Sequence, residues 1–211
     1  MSGQAQRRSW YVAYGSNLAL ERFRCYLRGG PVPGGARVYP GCRDPQEPAD
    51  AVAVSLPGRL VFAGRSRVWG GGIAFHDGAA AGEAVGRGYL VTSAQLADVV
   101  AQEIWQPPGG TVALRIEAWL GDGGCPAQGW GATGLYDTLR VLGTRNGAPL
   151  VTVTHRAVAT MSPVAPTAAY LHWIRTGLRQ TRGWDDDRID LYLAQMPGIE
   201  PTDGGVAPVL H

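Results

Sequence analysis

The chain has 211 residues, enough for one domain with a sizeable core, and its 45% hydrophobic and 17% charged residues are globular values. A formal net charge of +2, from 19 basic and 17 acidic side chains that are interspersed, argues against a nucleic-acid partner. No stretch reaches the roughly 18 apolar residues of a membrane span, and Cys25, Cys42 and Cys125 are too scattered to suggest a disulfide framework. The expectation is a soluble, cytoplasmic protein with no nucleic-acid and no membrane partner.

Arg7 and Arg8 precede an apolar run, but Glu21, Arg22 and Arg24 interrupt it before an export signal could form. Residues 1–9 read as a flexible N-terminus. Trp10, Tyr11, Val12 and Ala13 then read as a strand that ends in Tyr14, Gly15, Ser16, Asn17 and Leu18, followed by a helical pattern from Ala19 to Leu27. Gly15 permits a tight turn, Ser16 and Asn17 are good N-cap residues, and the unpaired N–H groups at a helix start make a receptor for a negative group. Strand, turn and helix meet this way in many proteins without a ligand, so this stretch alone does not define a site.

The segment from Gly29 to Pro57 is rich in Gly and Pro and reads as a long loop, of a kind that often covers a pocket. Strands follow at Arg59 to Phe62, at Gly71 to Phe75 with Trp69 before it, and at Val85 to Val91. The best-defined helix runs from Ser93 to about Trp105. Thr92 and Gln95 match a capping box, and Pro107, Pro108, Gly109 and Gly110 stop the helix. Leu96, Val99, Val100 and Ile104 make its apolar stripe; Glu103 lies on that stripe, whereas Asp98 falls on the opposite face, towards solvent. A carboxylate turned towards a core either finds donors or holds its proton near neutrality, the property general acid–base chemistry needs. The bland alternative is that Glu103 snorkels to water from the stripe's edge.

Val112 to Ala118 alternates as a strand, and Gly121 to Gly134 is a second glycine-rich loop containing Trp130. Strands at Tyr136 to Leu142 and Leu150 to His155 flank Asn146-Gly147, a hairpin signal, and Tyr136 stands where it could reach a pocket. Two closing helices carry Tyr170, Leu171, Ile174 and Leu178, then Ile189, Tyr192, Leu193 and Met196, with His172 on the surface. The domain is expected to span residues 10–198, with 199–211 a flexible tail. Neither the cysteines nor the four histidines show metal-ligand spacing.

The order YGSNL, WGGGIAF, GRGYLVT, a capped helix ending AQE, and YDTLRVLG resembles the gamma-glutamylcyclotransferase-like family, over most of the chain outside the two glycine-rich loops. The resemblance implies an α+β fold, a small mixed β-barrel of about six or seven strands with peripheral helices. It implies a small-molecule gamma-glutamyl substrate, no cofactor and no metal. Glu103 matches the acid–base residue, and Tyr14, Gly15, Ser16, Asn17, Leu18, Trp69 and Tyr136 are the candidate substrate contacts. Asn17 after Tyr-Gly-Ser is more like the branch acting on gamma-glutamyl amino acids or amines than the glutathione-specific branch. The turn would hold either the alpha-carboxylate or a developing oxyanion. Ile104 stands where relatives often have Asn, which keeps open a second reading, a binding module without turnover.

Overall fold

The apolar run at the front of the chain becomes the central strand. In the computed structural model, which describes residues 7–122 and 134–199, β1 (Arg8–Ala13) is buried at every position after Arg8. A strand covered on both faces has no polar side to alternate with, hence the continuous apolar run. The strand begins at Arg8, which pairs with Thr92. It runs on through Tyr14 and Gly15 into a 3₁₀ turn, Ser16–Leu18, and then α1 (Leu20–Arg28).

Next in sequence come β2 (Gly30–Pro31), β3 (Val38–Tyr39), β4 (Asp50–Pro57), β5 (Arg59–Ala63), β6 (Ile73–Asp77) and β7 (Glu83–Thr92). Then follow α2 (Ser93–Glu103), α3 (Thr111–Gly121), β8 (Thr138–Arg145), β9 (Ala148–Thr154), α4 (Ala168–Arg182) and α5 (Asp186–Leu193). The main sheet has the order β4-β7-β1-β9-β8, with β1 antiparallel to β7 and parallel to β9. Among the described strands, β5 and β6 form a two-stranded ribbon, as do β2 and β3, and β5 also bridges at Ala63 to Pro163.

The fold is therefore α+β with a mixed sheet, but the described strands do not close into a barrel. β4 and β8 remain edges because no ladder joins them and β5–β6 stands as its own ribbon. Closure depends on which edges pair, a long-range choice that no strand carries in its own pattern. The expected loop from Gly29 to Pro57 contains the β2–β3 ribbon and all of β4, whose eight residues pair with β7 from Asp50↔Leu90 to Pro57↔Glu83. The strand expected at Gly71 to Phe75 lies two residues later, at Ile73–Asp77.

The strand expected at Val112 to Ala118 is instead part of helix α3. Its buried residues, Ala113, Ile116 and Leu120, follow i, i+3, i+7, and the alternating apolar and polar residues of that window fit either period. The second glycine-rich loop lies, with Cys125 and Trp130, largely outside the described residues; 121 and 122 belong to the end of α3. Elsewhere local signals match local structure. The Thr92–Gln95 capping box forms, Asn146 and Gly147 take positive φ in the β8–β9 turn, and Gly183 ends α4 in the left-handed region.

The core lies between the sheet and the helices. Phe23 of α1 stacks on Tyr11 and Tyr89, with ring centroids 5.3 and 4.3 Å apart, which docks α1 against β1 and β7. α4 approaches the 3₁₀ turn so closely at Gly177 that an added Cβ would lie 2.2 Å from Leu18 Cβ and 2.5 Å from its carbonyl carbon. No helix among the described residues is long and apolar enough to cross a membrane.

Candidate active site

Below the end of β1 opens a cavity of about 590 Å³, walled by the 3₁₀ turn, the ends of α1 and α2, and the segments around residues 37–39, 65–69 and 134–136. That volume is of the size that takes a small-molecule ligand. Tyr14, Gly15, Ser16, Asn17, Trp69, Glu103 and Tyr136 all line it. Leu18 does not. It is fully buried, turned towards α4 and packed at Gly177, because successive residues of a 3₁₀ turn point about a third of a circle apart.

The turn differs from the expected capping arrangement. Neither Ser16 nor Asn17 caps α1 with its side chain; α1 starts after Ala19, and the Leu18 and Ala19 N–H groups bond back to the carbonyls of Gly15 and Ser16. Gly15 has a φ of −105°, which any residue adopts, so glycine is needed here for space. A Cβ would meet the Tyr170 hydroxyl at 2.7 Å, and that hydroxyl accepts the Ala74 N–H at 3.1 Å.

With its side chain released from capping, Asn17 reaches into the cavity. Its Nδ2 donates to Glu103 Oε1 at 3.1 Å and to the Tyr11 hydroxyl at 3.0 Å, while its buried Oδ1 finds no partner among the described residues. The front turn and the last residue of α2 are thus joined by a hydrogen bond across 86 positions of sequence. Burial is the largest influence on the Glu103 carboxyl and pushes its pKa above the ordinary 4.5. The Arg22 guanidinium, the Tyr26 hydroxyl, Arg37 and Asn17 pull in the other direction without cancelling it. Burial also raises the Tyr11 and Tyr26 hydroxyls, so both remain protonated donors at neutral pH.

Arg22 was not among the candidates that sequence spacing singles out. The residue is 2% exposed, and its guanidinium donates through Nη2 to the Tyr39 hydroxyl and leaves Nε and Nη1 without acceptors among the described residues. It faces the rings of Tyr39, Tyr26 and Trp69 at 4.5, 4.7 and 5.7 Å. One signal was available in the sequence: Arg22 stands four residues before Tyr26, on the face of α1 that also buries Phe23 and Leu27.

Asp98, expected on the solvent face of α2, is fully buried. It accepts the Arg43 backbone N–H at 2.9 Å, the Arg43 side chain at 3.0 and 3.1 Å, and the Gly109 N–H at 2.8 Å. The helical wheel places it opposite Leu96 as expected, but α3 and the 43 segment cover that face too. Tyr136 donates from its hydroxyl to the Ala74 carbonyl at 3.1 Å, so it fixes the cavity wall through β6.

No family model matches the chain. Over 100 residues, 44% of this chain, it is 38% identical to histone deacetylase 5 of Arabidopsis thaliana; the match spans 15% of that protein's length. Among solved structures, it is similar to gamma-glutamyl cyclotransferase with a TM-score of 0.55 and 18% sequence identity, over 96% of this chain and 95% of the other. The same values relate it to a crystal structure of an uncharacterized protein from Homo sapiens. At that identity the likeness is one of architecture: the chain has a gamma-glutamyl-cyclotransferase-like fold.

Proposed function

We propose that the protein is a cyclotransferase, releasing 5-oxoproline and a free amine or amino acid from a gamma-glutamyl compound, with Glu103 as the acid–base group. The observation that carries this reading is the meeting of Asn17 and Glu103, 3.1 Å apart, in the wall of one cavity. A gamma-glutamyl amide contains its own nucleophile, and enclosure in a folded conformation supplies much of the rate, because well-oriented intramolecular attack reaches effective molarities of about 10⁵ M or more.

The Glu103 carboxylate takes a proton from the alpha-ammonium. The freed nitrogen attacks the gamma-carbonyl carbon, closing the five-membered ring and placing negative charge on the carbonyl oxygen. As the bond to the leaving nitrogen breaks and the carbonyl re-forms, the Glu103 carboxylic acid returns the proton to that nitrogen. The ring nitrogen then gives up its second proton through the Glu103 carboxylate to the released amine. The amine departs as an ammonium and leaves 5-oxoproline, neutral at its ring nitrogen, and an ionised Glu103, so protons and bonds balance without an enzyme nucleophile. The raised Glu103 pKa suits both halves: the acid formed in the first step holds its proton long enough to deliver it in the second. Asn17 keeps the carboxyl oriented, and the Tyr11 and Tyr26 hydroxyls offer further donors on the same wall.

The test is release of 5-oxoproline from a panel of gamma-glutamyl amines and dipeptides by the purified protein and by Glu103→Gln. Turnover by the native protein and its loss in the variant support the reading. Binding of the same compounds without release, by both proteins, would instead establish the binding module.

A further inference from the structure

We infer that the leaving amine carries a dianionic group, held at the cavity mouth by Arg37, Arg65 and Arg67. This rests on the cyclotransferase reading and names the substrate class within it. Among the described residues, the cavity is lined by four guanidiniums, those of Arg22, Arg37, Arg65 and Arg67, and by one carboxylate, Glu103. Arg22 sits inside and is matched in charge by Glu103, leaving three cations at the mouth. Some other arginines pair with acids, Arg24 and Arg28 with Glu47, Arg43 with Asp98 and Glu117, and Arg156 with Asp137; what sets the mouth apart is that three guanidiniums are gathered on one cavity. Among the described residues, none of the three mouth arginines has an ion-pair partner. Arg37 spends one donor on the Gln102 carbonyl and Arg65 one on the Gly70 carbonyl, both neutral acceptors. Arginine presents a planar fork of donors suited to the paired oxygens of carboxylate and phosphate.

A second observation fixes this arrangement. Trp105, just beyond α2, has a φ of +62° although it is not glycine, and the residue is 50% exposed. Its N–H and that of Gln106 turn back to Gln102 and Ala101, so the chain stops sharply at the cavity mouth. An outlier of this kind is kept where surrounding structure or function requires it. Here it sets the indole beside Arg37 and Arg67, whose guanidinium carbons lie 4.1 and 5.9 Å from the ring centre. Two like charges are gathered round one ring in the wall of the pocket. A neutral or cationic leaving amine would gain nothing from this mouth; a dianion would bridge it.

Three gamma-glutamyl amides separate the outcomes: those of 2-aminoethyl phosphate, of aspartate and of ethanolamine. The first and last differ only in the phosphate. The native protein should show a kcat/KM for 5-oxoproline release at least about tenfold higher for the two dianionic leaving amines than for ethanolamine. Their ranking distinguishes a phosphate from a dicarboxylate. The preference should shrink as salt is raised and collapse in Arg65→Gln/Arg67→Gln, both exposed positions. Trp105→Gly, which relieves the left-handed backbone, should lose the preference in a protein that still folds. Equal kcat/KM for all three amides would overturn the inference while leaving the cyclotransferase reading intact. Release from none of them would overturn both.

Discussion

Gly177→Ala tests the packing that holds the candidate site in place. The residue lies inside α4, where alanine is the better helix former by about 1 kcal/mol, so local propensity predicts stabilisation. Tertiary contact predicts the reverse. The new Cβ would stand 2.2 Å from Leu18 Cβ, 2.5 Å from the Leu18 carbonyl carbon and 2.6 Å from the Ala19 nitrogen, and two of those three atoms are backbone. Backbone cannot swing aside as a flexible side chain does, so either α4 or the 3₁₀ turn must move. Overpacking of this kind costs about 1–3 kcal/mol, and contact with backbone places the substitution at the upper end, outweighing the propensity gain. For a domain of this size the net loss should lower Tm by about 2–8 °C in a calorimetric scan. Because Asn17 is the neighbour of Leu18 in that turn, 5-oxoproline release should fall as well. Gly121→Ala is the matched control: at the end of α3, an added Cβ there meets nothing within 4 Å among the described residues, and Tm should hold or rise slightly. A Gly177→Ala protein as stable as the native one would refute the reasoning.

Glu103 must be ionised to accept the first proton, so kcat/KM should fall as pH drops through its pKa. That limb should lie above pH 4.5, since burial raises the group, and it should vanish with activity in Glu103→Gln, at a loss of about 10²-fold or more. Asn17→Ala removes a hydrogen bond that lowers this pKa, so the acidic limb should move to higher pH; an unmoved limb would separate Asn17 from the titrating group. Asp98→Ala leaves the Gly109 and Arg43 backbone N–H groups without their acceptor, and chemical denaturation should show a loss of at least about 2 kcal/mol, although the Arg43 side chain keeps its pair with Glu117.

What could be read without coordinates was whatever depends on near neighbours in sequence. The capping box at Thr92 and Gln95, the Asn146-Gly147 turn, the glycine stop after Arg182, and the stripe of Leu96, Val99 and Val100 are all set within a few residues, and each signal recurs in the structure. The segment from Val112 to Ala118 shows where that reading gives out. Its residues fit two periods, and the choice between them is made by tertiary packing: α3 lies against α2, with Ile116 and Leu120 buried.

The candidate site divides the same way. Sequence picked out Glu103 by its place on a helix face, and Tyr14 to Asn17 by the chemistry of a strand end and turn. It did not distinguish Leu18, which faces α4, from Asn17 beside it, nor find Arg22, Arg37, Arg65 and Arg67, which enter one cavity from three separate segments. Asp98 and Glu103 both depend on what covers each side of α2. Spacing along a chain fixes the direction a side chain takes from its own element; what it meets there, water, a guanidinium or another helix, is decided by contacts that close over dozens of residues, and only the folded chain contains them.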